Sequence, residues 1–417
     1  MWSVDTLEPR SLLAANGLTG TYFNNPDFTG NTFERVDPVL NVDFGKHLSP
    51  APGIDPKTFS VRWSGLIYPQ RSETYTFTVR CNDGVRLWIG GSLIIDQWFS
   101  RPRDNVYGSI ALVGKRLYDV RLEYFDDLRT SAVRLKWATP TMPSEYVPSR
   151  LLFAYDTRFA GIADFGQVND AARGTADLVH SWAPHFIITA GDNNYPDGQA
   201  STIDANIGQF YHDYIGNYQG SYGAGSTVNR FFPALGNHEY HTAGAQPHLD
   251  YFTLPGNERY YDFVHGPIHF FVVNSDPHEP DGNSPDSVQG QWLHDALAGS
   301  TSVYNIVYFH HPPYSSGSRH GSQTFMRWPF KQWGVDAVIS GHDHNYERFN
   351  VDGLPYFVIG AGAGTRAFGS TVAGSVFRDN SNTGALLIQG NDRRLTFQYE
   401  HQDGEVIDTL TIGPRPR

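Results

Sequence analysis

A single cysteine, Cys81, stands in the 417 residues. No disulfide can therefore close within the chain, and a buried small hydrophobe is the expected role of this residue. Long apolar runs are also missing, and nothing approaches the ~18 residues that a membrane-crossing helix needs. Charged side chains make up only 18%, yet hydrophobic residues reach 40% and aromatics 14%, a composition that excludes a disordered chain. Basic residues are the scarcer sign, with 31 Lys+Arg against 43 Asp+Glu and a net charge of −12. A nucleic-acid platform would need a basic stripe, so none is expected. Near the N-terminus no basic segment precedes an apolar core, which argues against an ordinary secretory signal over residues 1–17.

The length exceeds one typical domain, and two are expected. Charge supports a division near residue 150. The first 150 residues are almost neutral, with 17 basic and 16 acidic side chains, whereas the remainder holds 14 basic, 27 acidic and 16 of the 17 histidines. An acidic, histidine-rich half suits cation binding. Residues 1–16 form a tail. From residue 17 to about 153 the pattern is short alternating strands separated by Gly, Pro, Asn and Asp, including 59–63, 74–79, 85–89, 120–124 and 133–137, which predicts an antiparallel sandwich or barrel. Asp126 and Asp127 read as solvated turn residues. Pro140, Pro143 and Pro148 predict a stiff linker over 139–149.

Beyond it, over residues 154–417, strands alternate with helices. Helices are expected at 168–182, 203–214, 287–298 and 325–333, with strands at 159–163, 185–190, 231–235, 268–273, 304–309 and 336–339, and β hairpins follow. The pattern implies an α/β fold with central sheets flanked by helices. Five motifs follow apolar strands: Asp164-Phe165-Gly166, Gly191-Asp192-Asn193-Asn194-Tyr195, Gly236-Asn237-His238-Glu239, His310-His311-Pro312-Pro313-Tyr314 and Gly341-His342-Asp343-His344. Alone, an Asp-x-Gly is usually a turn, and a single strand-end histidine is usually a satisfied polar group. Together the motifs offer carboxylates, a carboxamide, a phenol and imidazoles without thiolate, a donor set for borderline-to-hard transition metals.

These motifs, in this order, resemble those of the calcineurin-like metallophosphoesterases, and Tyr195 narrows the resemblance to the purple acid phosphatases. Asn345-Tyr346-Glu347-Arg348 is similar to the plant-type members. The resemblance implies Asp164, Tyr195 and His344 as ligands of Fe(III), and Asn237, His310 and His342 as ligands of a divalent partner (Fe, Zn or Mn), with Asp192 bridging. It implies hydrolysis of small phosphate monoesters by attack of a metal-bound hydroxide. His238 and His320 would be catalytic and substrate-facing, with Arg319 as a phosphate contact. His310 is taken as the ligand of the doubled pair because the family pattern is His-x-Pro, and strand alternation should turn His311 elsewhere. Diester or cyclic-nucleotide hydrolysis on the same metals is the nearer alternative. A carbohydrate-binding protein with a weakly active phosphatase domain is the more distant one.

The first part resembles the protective-antigen-type (PA-fourteen) β-domain through Gly20-Thr21-Tyr22-Phe23, Asn82-Asp83-Gly84-Val85-Arg86-Leu87-Trp88-Ile89-Gly90-Gly91, residues 120–127 and Ala132-Val133-Arg134-Leu135-Lys136-Trp137. That resemblance implies a glycan as partner. Leu7-Glu8-Pro9-Arg10-Ser11-Leu12-Leu13 is similar to the LEPR-x-LL segment of exported bacterial proteins, so a periplasmic or extracellular location is expected.

Overall fold

The computed structural model describes residues 16–46, 48–127, 130–155 and 157–415, and the chain divides into two compact units between residues 156 and 157. The segment 7–13 lies outside the described residues.

In the first unit, alternation along each strand sends every second side chain inward. Glu73–Cys81 shows the rule, burying Tyr75, Phe77, Val79 and Cys81 while the residues between them face outward. One sheet runs in the order Thr32–Asp37, Leu18–Phe23, Thr58–Ile67, Tyr118–Asp127, Val85–Ile89, Ser92–Gln97, with Leu152–Ala154 also on Thr58–Ile67. The second runs Met142–Tyr146, Thr130–Thr139, Glu73–Cys81, Asp104–Leu112, with Asn41–Lys46 also on Thr130–Thr139. Their pairings are antiparallel. Trp63 and Leu122 of one sheet share a core with Phe77 and Leu135 of the other, which makes the unit a β-sandwich.

Two expectations are corrected here. The stretch 139–149 is not a free linker, because Met142–Tyr146 pairs with Thr130–Thr139 through Trp137 and Glu145. It is an edge strand, where Pro143 removes no interior ladder bond. Asp126 is no solvated turn residue either: it lies within Tyr118–Asp127, is fully buried, and accepts from Asn82 Nδ2 at 3.1 Å and Tyr124 Oη at 3.3 Å.

The second unit is α/β. A six-stranded sheet runs Phe231–Pro233, Phe186–Thr189, Thr157–Ile162, Gly384–Asn391, Arg394–His401, Val406–Ile412. A seven-stranded sheet runs Tyr261–His265, Ile268–Val272, Tyr304–Tyr308, Ala337–Ser340, Leu354–Ile359, Tyr346–Val351, Ser375–Asp379. Phe159, Ile188 and Ile388 of the first pack in one core with Phe270, Ile306 and Ile339 of the second.

The helix Asp170–Trp182 starts where the Asn169 side chain accepts from Ala172 N at 2.7 Å, and it buries Ala172, Ala176, Val179 and Trp182 in that core. Val288–Gly299 is capped by Ser287 and lays Leu293 and Leu297 on the other face of the second sheet, with Phe271, Val307 and Val338. The helix expected over 325–333 is only the 3₁₀ turn Thr324–Met326 followed by turns. Pro329 explains the difference, since it disfavours helical geometry at Trp328 and offers no N–H. Among the described residues no helix is long and apolar enough to cross a membrane.

Candidate metal centre

Parallel pairing brings the motifs to one edge. Thr157–Ile162, Phe186–Thr189 and Phe231–Pro233 are parallel neighbours, so the loops with Asp164, Asp192 and Asn237 leave adjacent strand ends. Tyr304–Tyr308 and Ala337–Ser340 are likewise parallel and deliver His310, His342 and His344. The carboxyl edge of parallel strands is the usual place for a site in α/β proteins.

The seven predicted ligands form a connected set. Tyr195 Oη lies 3.0 Å from Asp164 Oδ1, 3.2 Å from Asp192 Oδ2 and 3.2 Å from His344 Nε2. His310 Nε2 lies 3.1 Å from Asn237 Oδ1, 3.0 Å from His342 Nδ1 and 3.2 Å from Asp192 Oδ2. The centre thus has two lobes, one around the Tyr195 phenol and one around the His310 imidazole. A single oxygen, Asp192 Oδ2, touches both.

The backbone is bent to achieve this. Asp164, Asp192 and His342 take φ of 54°, 52° and 72°, the left-handed region that non-glycine residues avoid. Such strain costs on the order of 1–3 kcal/mol per residue and concentrates at functional sites. Close packing fixes the neighbours too. A Cβ on Gly236 would stand 2.3 Å from the Asp192 backbone nitrogen, and one on Gly341 2.6 Å from Asp164 Oδ2.

Electrostatics match a cation site. Burial, and then the charge of Asp192, hold the Asp164 carboxyl well above the usual range. Burial opposes ionisation of Asp192 as well, but the His310 imidazole beside it keeps that carboxyl far below its usual range. Burial and the two aspartates push the Tyr195 phenol well above 10. Burial, and then Arg366, lower His344 to about 3, and burial followed by His310 lowers His342 strongly. Neutral imidazoles are the form that binds metals. His310 differs: against burial, Asp192 raises it to about 10, so a cation there would take the place of its ring proton. The residues therefore fit a pair of cations on their donor chemistry: buried oxygens and imidazoles aimed at one another with no Lys or Arg among them. His310 Nδ1 also bonds Ala190 O at 2.9 Å, the orientation in which Nε2 presents its lone pair to the cluster.

The predicted substrate-facing residues are placed unevenly. The His238 ring lies 4.4 Å from that of Tyr195, the His238 backbone N–H donates to Asp192 Oδ1 at 3.0 Å, and the ring Nδ1 bonds Pro196 O. His320 is more exposed, with its ring 4.0 Å from that of His342. Arg319 is exposed next to it and forms no ion pair with a carboxylate among the described residues. His311 was expected to turn away. Instead its ring lies 4.5 Å from His342 while Nδ1 meets Ser275 Oγ at 2.9 Å, because the chain leaves its strand at Phe309 and the alternation argument no longer applies.

Sequence reasoning missed Glu239, Asp343 and Arg366. Glu239 is fully buried and accepts from Asn193 N (2.8 Å), Asn194 N (3.0 Å) and Gly236 N (2.7 Å), tying two ligand loops together. Burial, and then Asp192, raise its carboxyl to about 7. Its place beside Asn237 and His238 was the available signal.

Residues 14–150 match the model of the PA14 domain, and residues 157–346 that of the calcineurin-like phosphoesterases. The first unit is similar to the anti-sigma-I factor RsgI3 of Acetivibrio thermocellus, 39% identical over 34% of this chain and 22% of the relative. The chain therefore spans less than a quarter of that relative's length. The second unit is similar to the tartrate-resistant acid phosphatase type 5 of Oryctolagus cuniculus, 26% identical over 49% of this chain and 72% of the relative. In fold the chain resembles the purple acid phosphatase PPD1 of yellow lupin, with a TM-score of 0.51 and 14% identity over 92% of this chain and 76% of that one. The chain thus joins a PA14 domain to a domain of the calcineurin-like phosphoesterases, and among the curated relatives of the second are purple acid phosphatases.

Proposed function

We propose that the second unit is a binuclear metal-dependent phosphatase of purple acid phosphatase type that hydrolyses phosphate monoesters. The observation that carries this reading is the two-lobed donor set joined through Asp192 Oδ2. Asp164, Tyr195 and His344 would hold Fe(III), Asn237, His310 and His342 a divalent ion, and Asp192 both. The trivalent assignment follows from Tyr195. Its phenol is raised by burial and by two carboxylates, so a hard, highly charged cation is the partner able to displace its proton. When bound, such a pair supplies Lewis-acid polarisation of the phosphoryl oxygens and an acidified water.

The remaining chemistry belongs to side chains. His238 presents Nε2 3.8 Å from Asp192 Oδ2, on the margin of the centre, and its Nδ1 is held by Pro196 O. Pro196 O accepts from Nδ1–H, so Nε2 carries a proton only in the imidazolium form, and in that form it can bond a phosphoryl oxygen and give that proton to the leaving alkoxide as the P–O bond breaks. His320 and Arg319 line the same margin as further contacts to the ester. The first unit is proposed to bind a glycan, as its PA14 resemblance suggests, and the protein to be exported, as segment 7–13 suggests.

The test is direct. Metal analysis of protein purified without chelator should find iron and a second metal, together with a visible charge-transfer band that Tyr195→Phe removes. Asp192→Asn should abolish hydrolysis of p-nitrophenyl phosphate. Unchanged turnover in that variant would overturn the site, and a colourless, iron-free, fully active enzyme would overturn the purple assignment.

A further inference from the structure

The loop that carries Arg319 and His320 is fixed by two buried carboxylates. Asp343, between two predicted ligands, accepts from Ser315 Oγ at 2.6 Å, Gly321 N at 2.9 Å and His320 N at 3.3 Å. Glu347 accepts from Ser316 N and Oγ, each at 2.7 Å, and from Ser375 Oγ at 2.6 Å. The loop is also joined to the segment that follows Gly364. Ser318 N donates to Ala367 O at 3.1 Å, Gly369 N to Ser316 O at 2.7 Å, and Val372 N to Ser316 Oγ at 2.9 Å.

Arg366 stands at the start of that segment. Its backbone N–H donates to His344 O at 2.6 Å, and its Nη1 lies 3.4 Å from His320 Nε2. Arg366 therefore places its guanidinium against His320 at the margin of the centre, and Arg319, the residue before His320, adds a second exposed cation to the same loop. Neither forms an ion pair with a carboxylate among the described residues. The two carboxylates that brace the loop, Asp343 and Glu347, are committed to hydroxyl and backbone donors. Unpaired cations on a braced loop, in a half of the chain where acids outnumber bases 27 to 14, call for an anionic partner from outside.

We propose that Arg319 and Arg366 form an anion subsite beside the metal centre that holds a second phosphate group of the substrate. This deepens, and rests on, the phosphatase reading above. The dication site takes the phosphoryl group that is transferred. The guanidinium pair takes the other, so pyrophosphate and bisphosphorylated compounds are preferred over esters with an uncharged leaving group.

Calorimetric titration of the metal-loaded protein with inorganic pyrophosphate and with orthophosphate tests this, with metal content assayed before and after. Wild type should bind pyrophosphate at least about tenfold more tightly, the scale of one charge-assisted contact. Arg366→Ala should erase most of that difference while orthophosphate affinity moves less than threefold, and Arg366→Lys should keep part of it. In steady state, kcat/KM for pyrophosphate should fall in Arg366→Ala far more than for p-nitrophenyl phosphate. Equal losses on both probes would assign the arginines to the transferred phosphoryl group and overturn the subsite. So would wild-type binding that does not distinguish the two anions, or variants that do not differ from wild type. If wild type hydrolyses neither probe, the phosphatase reading falls, while the titration still decides the subsite.

Discussion

Each unit buries carboxylates, Glu123 in the first and Asp164 with Asp192 in the second, and these are answered differently. In the first, Glu123 is buried with Arg62 Nε at 2.9 Å and Arg86 Nη2 at 2.7 Å, and Arg121 lies at 3.9 Å. Burial opposes its ionisation, but the three guanidinium groups outweigh it and lower the carboxyl below its usual range. In the second, Asp164 and Asp192 have no guanidinium or ammonium partner among the described residues, and imidazoles, a phenol and the backbone N–H groups of His342 and His238 face them. The first arrangement is complete within the chain and stabilises a fold. The second answers its two acids with one raised imidazole, His310, and it is the one at strand ends with left-handed backbone.

That contrast can be broken in two directions. Asp192→Asn should reduce phosphatase turnover by at least about 10²–10³-fold, the scale of losing one preorganised electrostatic group. It should barely move the unfolding temperature of chelator-treated protein. Glu123→Ala should do the reverse. Turnover per folded molecule stays, but the first unit loses about 3 kcal/mol, because three partly buried arginines are left without their counter-ion. Calorimetric unfolding would register this as a lower transition for one unit alone. If Glu123→Ala leaves both transitions in place, the guanidinium cluster is solvated enough to need no partner, and the contrast weakens.

The sequence shows this division only in part. Alternation exposed the first fold class, as in Val85–Ile89, and runs buried on both faces between helices, such as Tyr304–Tyr308, exposed the second. The seven candidate ligands were legible because their motifs follow apolar runs, most of them at a glycine turn and His310 before a proline pair, a local signal. What was not legible is non-local. Glu239 binds backbone N–H groups 45 and 46 residues away, and Arg366 meets His320 across 46 residues. Neither has a periodicity or a turn signature. The edge strand at Met142–Tyr146 was hidden by Pro143, a residue that reads as a breaker unless the sheet order is known.

Glu239 sharpens the second half of the contrast, as a buried acid that serves the centre without touching its two lobes. Glu239→Gln keeps one acceptor oxygen and turns an NH₂ towards a backbone N–H. Loops 191–195 and 236–239 should loosen against each other. Turnover should fall about 10–100-fold, the usual loss for a group that orients metal ligands. Affinity for the second metal, read by titration of stripped protein, should fall with it. A loss of turnover with metal affinity intact would mean that Glu239 acts on the substrate side.

The smallest effect tests another buried acid of the first unit. Asp126 has amide and hydroxyl donors instead of arginines, and burial raises its carboxyl to about 6. A folded-state value above the unfolded one, ~3.9, means that the native state holds the proton more tightly. The stabilisation is full below pH ~4 and is lost as pH rises through about 6. Asp126→Asn keeps an oxygen for Asn82 and Tyr124 and cannot ionise. The unfolding temperature of the first unit should then fall less between pH 4 and pH 7 than in wild type, and stand slightly higher at pH 7. A wild-type profile already flat over that range would mean that Asn82 and Tyr124 answer Asp126 as fully as the arginines answer Glu123.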